Sequence, residues 1–284
     1  MTDTPSQTAL LAAAARAAHP IVDHEPLIFV DPCAEALLGD QAGFIDYHRR
    51  SGDHTILVGV RTQATIRARL TEERLLASGA DQYVVLGAGL DSYAYREKTG
   101  ISVYEVDQPA SQADKRRRVE AAGLAPVTSL AYVAVDLSEG RLLAALTSHG
   151  FDVTRPAVVS WLGVSMYLTS SAFRRTLGEL GQLAAGSQLV LDYLLPADRR
   201  DEAGNVYVDA IAAATAERGE PWLAYYAPSQ IQDELAACGF TGIISVNQRE
   251  ALPAALWERT DALRPSRLSM IASATVGACA GSSG

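Results

Sequence analysis

Residues 84–96 read VVLGAGLDSYAYR and residues 103–109 read VYEVDQP. In the first stretch three apolar β-formers run into Gly87, Ala88 and Gly89, so a strand ends in a turn whose bare backbone a ligand can touch. Ligands of open α/β sheets gather at the carboxyl ends of strands. The second stretch ends in Glu105 and Asp107, carboxylates suited to accept from ribose hydroxyls. A dinucleotide fingerprint needs a third glycine or alanine at position 92, where a helix N-terminus holds a pyrophosphate, and that residue is Ser92. A phosphate loop needs Gly-Lys-Ser/Thr, and the chain has Leu90-Asp91-Ser92. Asp91 would repel phosphate and favours a neutral or cationic group. These residues describe a nucleoside ligand without phosphates; taken alone, the glycine turn is equally compatible with a structural turn.

Such residues need a scaffold. Apolar strand-like runs at Tyr83–Leu86, Ser102–Val106, Tyr132–Val135, Ala157–Leu162, Gln188–Tyr193, Ile243–Val246 and Leu268–Ala274 alternate with helix-like stretches such as Thr71–Ser78, Ala110–Ala121, Ser171–Ala184 and Ser229–Cys238. This alternation predicts a doubly wound, seven-stranded, mostly parallel α/β sheet of Rossmann-like form in a single domain. Residues 1–60, broken by prolines at 20, 26 and 32, read as an N-terminal cap. Residues 61–193 then form the cofactor-binding core, 194–228 an irregular lid insert after the fifth strand, 229–276 the rest of the core, and 277–284 a disordered tail. The alanine-rich run from Ala9 to Ala18 is expected to be a packing helix, too short for a membrane span and lacking a preceding basic region.

The 284 residues, 48% of them hydrophobic, can fill a sizeable core. A net charge of −9 offers no broad cationic face, so neither nucleic acid nor a membrane surface is an expected partner. The one basic run, Lys115-Arg116-Arg117-Arg118, reads as a solvated helix face. Cys33, Cys238 and Cys279 suit a reducing cytoplasm and show no zinc spacing, so no metal is expected.

The motifs taken together are more specific than the loop. VVLGAGLDSYAYR, VYEVDQP, VDL at 135–137 and SWLGVSMYLT at 160–169 resemble, in order and spacing, the leucine carboxyl methyltransferase family, including bacterial carboxyl methyltransferases of aromatic polyketide pathways. DPCAEALLG at 31–39, GEPWLAYYAP at 219–228 and AACGF at 236–240 extend the resemblance over most of the chain. It implies the class I methyltransferase fold and S-adenosylmethionine as cofactor. It also implies that Gly87, Ala88 and Gly89 pass beneath the methionine part with Asp91 beside it, and that Asp107 or Glu105 takes the ribose. Asp136 and Leu137 would meet the adenine, and Leu162 would line the cofactor site. Arg67 matches an arginine that pairs with the cofactor's carboxylate, with Arg61 and Arg69 close enough to compete. The chain departs from the pattern after the fourth strand, where many members carry an acid near the methyl and Trp161-Leu162-Gly163-Val164 is apolar.

Methyl transfer from a sulfonium is an in-line displacement, catalysed largely by alignment. A carboxylate acceptor, with a pKa of about 4, needs no base, whereas a phenol near about 10 usually does. His19, His24, His48, His54 and His149 fall in no recognised motif. The expectation is therefore O-methylation of a small-molecule carboxylate in secondary metabolism, with Trp161, Tyr167, Trp222, Tyr225 and Tyr226 as substrate-pocket candidates. The alternatives are a hydroxyl or phenol acceptor, or a nicotinamide-dependent oxidoreductase on the same type of sheet. Acceptor choice is expected to reside in the cap and the lid.

Overall fold

The computed structural model describes residues 6–217 and 219–278. Residues 1–5 of the cap, Arg218 of the lid insert, and 279–284 of the tail, with Cys279, lie outside the described residues.

The seven expected strands all form: β1 Gln82–Leu86, β2 Ser102–Asp107, β3 Leu130–Ala134, β4 Val158–Trp161, β5 Gln188–Leu194, β6 Phe240–Asn247 and β7 Ser269–Val276. They make one sheet of order β3-β2-β1-β4-β5-β7-β6. The first five are parallel, and β7 runs antiparallel to both β5 and β6. The order reverses between β1 and β4, which opens a crevice at their carboxyl ends. β1 and β4 are buried along their whole length because helices cover both faces. Alternation along β1 sends Val84 and Leu86 into one core and Tyr83 and Val85 into the other. β6 starts three residues before its expected position, across an irregularity between Thr241 and Ile244.

The helices are α1 Gln7–Val22, α2 Ala34–Leu38, α3 Gly43–Ser51, α4 Thr55–Ser78, α5 Tyr93–Arg96, α6 Pro109–Ala121, α7 Leu142–Ser148, α8 Ser170–Leu180, α9 Glu202–Glu217 and α10 Pro228–Ala237. Three differ from expectation. Pro20 does not interrupt α1 but sits inside its last turn. The expected helix Thr71–Ser78 is only the end of the 24-residue α4, which starts at a His54 cap, ends at left-handed Gly79 and runs across the expected cap boundary at residue 60. The insert 194–228, expected to be irregular, contains the 16-residue α9.

α1 is built from alanines whose small side chains, with Leu10, pack on Ala34, Leu38, Ile45 and Leu90. It lies against α2, α3 and α4, while α4 also touches α9, β4 and β5. The cap and the insert thereby stand over the carboxyl edge of the sheet. The basic run is a solvated face only in part: Arg116 and Arg117 are exposed, whereas Lys115 is fully buried against Glu105 and Arg118 reaches the Leu38 carbonyl at 2.8 Å. Among the described residues no helix is long and apolar enough to cross a membrane, and no metal-binding group of His, Cys, Asp or Glu occurs.

Candidate active site

The turn after β1 is tied to β2, because the Gly87 and Ala88 N–H groups both donate to the Val106 carbonyl, at 2.8 and 3.1 Å. Gly87 and Gly89 hold φ values of +66° and +48°, which favour glycine. A Cβ on Gly87 would run into the Val164 side chain, and one on Gly89 would stand 3.0 Å from Ala9 of α1. Asp107 closes the turn from β2: Oδ2 accepts the Gly89 N–H and Oδ1 the Gln108 N–H, each at 2.7 Å. Burial raises its pKa, against the pull of these two bonds. Asp91 accepts the Tyr93 N–H at 2.9 Å at the start of α5.

Above this turn lies a cavity of about 460 Å³. Its lining includes nine of the ten residues read as cofactor contacts: Arg67, Gly87, Ala88, Gly89, Asp91, Asp107, Asp136, Leu137 and Leu162. Glu105 is not among them. It lies deeper in β2, fully buried, with Lys115 Nζ at 2.5 Å; burial pushes its carboxyl up to about 7 while Lys115 pulls it down. Of the two acids left open for the ribose, Asp107 faces the cavity. Asp136 accepts the Ser138 N–H at 2.8 Å in the turn after β3.

The three candidate arginines, all on α4, separate cleanly. Arg67 lines the cavity and donates Nη1 to Asp192 Oδ2 of β5 at 3.0 Å. Arg61 turns into the cap, where it meets both oxygens of Asp23, the Gly52 carbonyl and His48. Arg69 pairs with Glu73 at 2.7 Å and the Ile28 carbonyl at 3.1 Å.

On the other side, α1, α4, α9 and the segment 219–223 supply Thr8, Gln63, Tyr207, Glu220 and Trp222, and Tyr167 follows β4. Tyr207 O–H donates to Gln63 Oε1 at 3.4 Å, and Thr8 O–H to Glu220 Oε2 at 3.3 Å. Burial raises the Tyr167 and Tyr207 phenols, so both remain neutral donors at neutral pH. Trp161, Tyr225 and Tyr226 do not line the cavity. Trp161 is wholly buried and stacks on Phe173 at 5.1 Å between centroids, and Tyr226 stacks on the same ring at 5.0 Å. Tyr225 carries the Arg200 guanidinium 4.9 Å from its ring. The expectation that these three shape the pocket is replaced by packing roles, because aromatic payload is drawn to the core before it is drawn to a cleft. None of the five histidines lines the cavity. His19 binds Asp23, His48 binds Arg61, His24 lies by Thr260, His54 caps α4, and His149 meets the Ala145 carbonyl.

Residues 9–181 match the leucine carboxyl methyltransferase family. The chain belongs to that family. A protein of Mycobacterium sp. (strain JLS), provisionally named an S-adenosyl-L-methionine-dependent methyltransferase, is 33% identical over 199 residues, covering 66% of this chain and 65% of its own length. Another of the same provisional name, YktD of Bacillus subtilis, is 29% identical over 263 residues, covering 82% of this chain and 86% of its own. The chain thus spans just under two thirds of the mycobacterial relative and most of the Bacillus one. A provisionally named methyltransferase from Thermobifida fusca superposes with a TM-score of 0.59 at 19% identity, over 97% of this chain and 96% of that one. A DUF574 family protein from Streptomyces avermitilis gives 0.58 at 16% identity, over 92% and 96%. The fold of this leucine carboxyl methyltransferase family member is that of the class I methyltransferases, and nothing supports the oxidoreductase alternative.

Sequence reading missed three groups of this member's cavity, the Tyr207–Gln63 pair, Glu220 and the Glu72–Arg96 ion pair, and also Asp192, which stands behind Arg67. Asp192 had a signal, a lone carboxylate in the otherwise apolar strand LVLDYLL. The others had none, since they are joined only by tertiary contacts: Tyr207 of α9 with Gln63 of α4, Glu220 with Thr8 of α1, and Arg96 of α5 with Glu72 of α4.

Proposed function

We propose that the chain transfers a methyl group from S-adenosylmethionine to a carboxylate of a small molecule. The cofactor is that of the named relatives, and the residues present fit it. Asp107 gives each oxygen to a backbone N–H yet keeps lone pairs for the two ribose hydroxyls. Asp136 and Leu137 would serve adenine, the carboxylate accepting from the exocyclic amine and the leucine packing on the ring. Gly87, Ala88 and Gly89 would carry the methionine part, with Asp91 beside its cationic end and Arg67 at its carboxylate. When bound, this cofactor supplies a methyl group on a positively charged sulfur, open to in-line attack.

The observation that carries the acceptor class is the chemistry of the cavity's far side. Gln63, Tyr167 and Trp222 offer donors, and no imidazole or thiol stands among the described lining residues. Such donors suit an acceptor that arrives already ionised, as a carboxylate is above about pH 5. These donors would orient it, and the cap with the insert 194–228 would select it and exclude water. Among the aromatic candidates, Tyr167 and Trp222 have access to it. One observation favours a hydroxyl or phenol acceptor instead: Glu220 lies at the same end and could take a proton. Secondary metabolism is the setting that a selective small-molecule site of this kind fits. A methyl-transfer assay over a panel of carboxylic acids and phenols, with products located by mass spectrometry, tests the reading. Methyl esters formed at a rate that is flat from pH 6 to 9 are expected; methyl ethers formed at a rate rising with pH would assign the hydroxyl reading.

A further inference from the structure

The stretch after β4 carries no acid, yet the structure brings one to it from the neighbouring strand. Asp192 of β5 has a side chain only 1% exposed. Its Oδ1 accepts the Gly163 N–H at 2.6 Å and its Oδ2 the Arg67 Nη1–H at 3.0 Å, while its backbone carbonyl takes the Ser165 O–H at 2.7 Å. A carboxylate that deep needs a charged partner and full hydrogen bonding. Arg67 supplies the charge but spends one N–H on it among the described residues, and the rest of its planar fork borders the cavity. Gly163 makes room for this: at φ +71° it is left-handed, and a Cβ there would stand 2.8 Å from Nη1 and 3.0 Å from Nη2 of Arg67.

We infer that Asp192 is a positioning residue, which pins one edge of the Arg67 guanidinium to the Gly163 loop so that its other donors present a fixed fork to the carboxylate of the cofactor's amino-acid end. The inference rests on the S-adenosylmethionine reading above. It replaces an acid acting directly at the methyl with one acting through an arginine. A guanidinium held on one side loses less freedom on binding an anion than a free one, so affinity should depend on Asp192 although Asp192 does not line the cavity.

The test compares two ligands by calorimetry on the intact chain. S-adenosylhomocysteine carries the amino-acid carboxylate; 5′-methylthioadenosine has the same nucleoside and thioether without it. In Asp192→Asn the amide turns a donor toward Arg67 and releases it, so affinity for S-adenosylhomocysteine should fall about tenfold or more while that for methylthioadenosine stays within about twofold. Equal losses for both would make Asp192 a structural residue only, and no loss for either would remove it from the site; both overturn the inference. If Asp192→Asn folds poorly, Arg67→Gln is compared with Arg67→Gln/Asp192→Asn, in which neither charge is left alone. Equal affinities for S-adenosylhomocysteine in those two variants are expected, and a further drop in the double variant would overturn the inference. If wild-type chain bound neither ligand, the cofactor reading itself would fall, a different result from any of these.

Discussion

Arg61 and Arg67 lie six residues apart on α4, and their surroundings differ in kind. In the cap cluster Arg61 is 1% exposed and meets both oxygens of Asp23, the Gly52 carbonyl and His48, with His19 completing the Asp23 shell. In the cavity cluster Arg67 has a side chain 17% exposed and one carboxylate partner, Asp192. An arginine with four of its five N–H groups engaged holds structure together, whereas one with most of its donors to spare beside a cavity can receive an anion. Sequence spacing alone could not separate them; their partners do.

The largest effect should come from the cap cluster. Arg61→Met leaves Asp23 buried without its counter-charge and should lower stability by about 3–5 kcal/mol in denaturant unfolding, with ligand affinity kept in whatever fraction folds. A loss of less than about 1 kcal/mol would erase the distinction between the two arginines. Next comes the ribose acid: Asp107→Ala should weaken S-adenosylhomocysteine binding about tenfold or more, by loss of charge-assisted hydrogen bonds and of the Gly89 anchor, with a modest change in melting temperature. An unchanged dissociation constant would take Asp107 out of the site. The smallest effects concern pH, where the two clusters should have opposite slopes. Burial, with Arg61 adding to it, lowers His48 to about 4, so its contribution to stability is full above about pH 6.5 and is lost as pH falls toward 4. At the cavity, burial outweighs Arg96 and raises Glu72 to about 7, so its contribution is full below about pH 4.5 and is lost as pH rises through 7. His48→Gln should therefore flatten the acid limb of a stability–pH curve and Glu72→Gln the neutral limb; slopes of the same sign would contradict the assignment.

The sheet was legible because its strands are short apolar runs between turn signals, and the glycine turn with Asp107, Asp136 and Leu137 because those residues sit next to the strand ends that place them. The long α4 was not. It packs on α1, α9 and the sheet at once, so its apolar residues spread around the helix and leave no single stripe to detect. For the same reason the insert hid α9, and Tyr207 with it. Lys115 was misread because a charge run gives no hint that one member faces a buried acid in the preceding strand. Trp161 and Tyr226 were drawn toward the pocket by aromatic type, where burial on Phe173 is the stronger pull.

The central claim is that the cavity over Gly87–Gly89 receives S-adenosylmethionine. Calorimetric titration of the folded chain with S-adenosylhomocysteine, paired with its melting temperature at each concentration, tests this most directly. One site per chain and a melting temperature rising with the logarithm of ligand above its dissociation constant are expected. No heat and no thermal shift with either compound at millimolar concentration would contradict it.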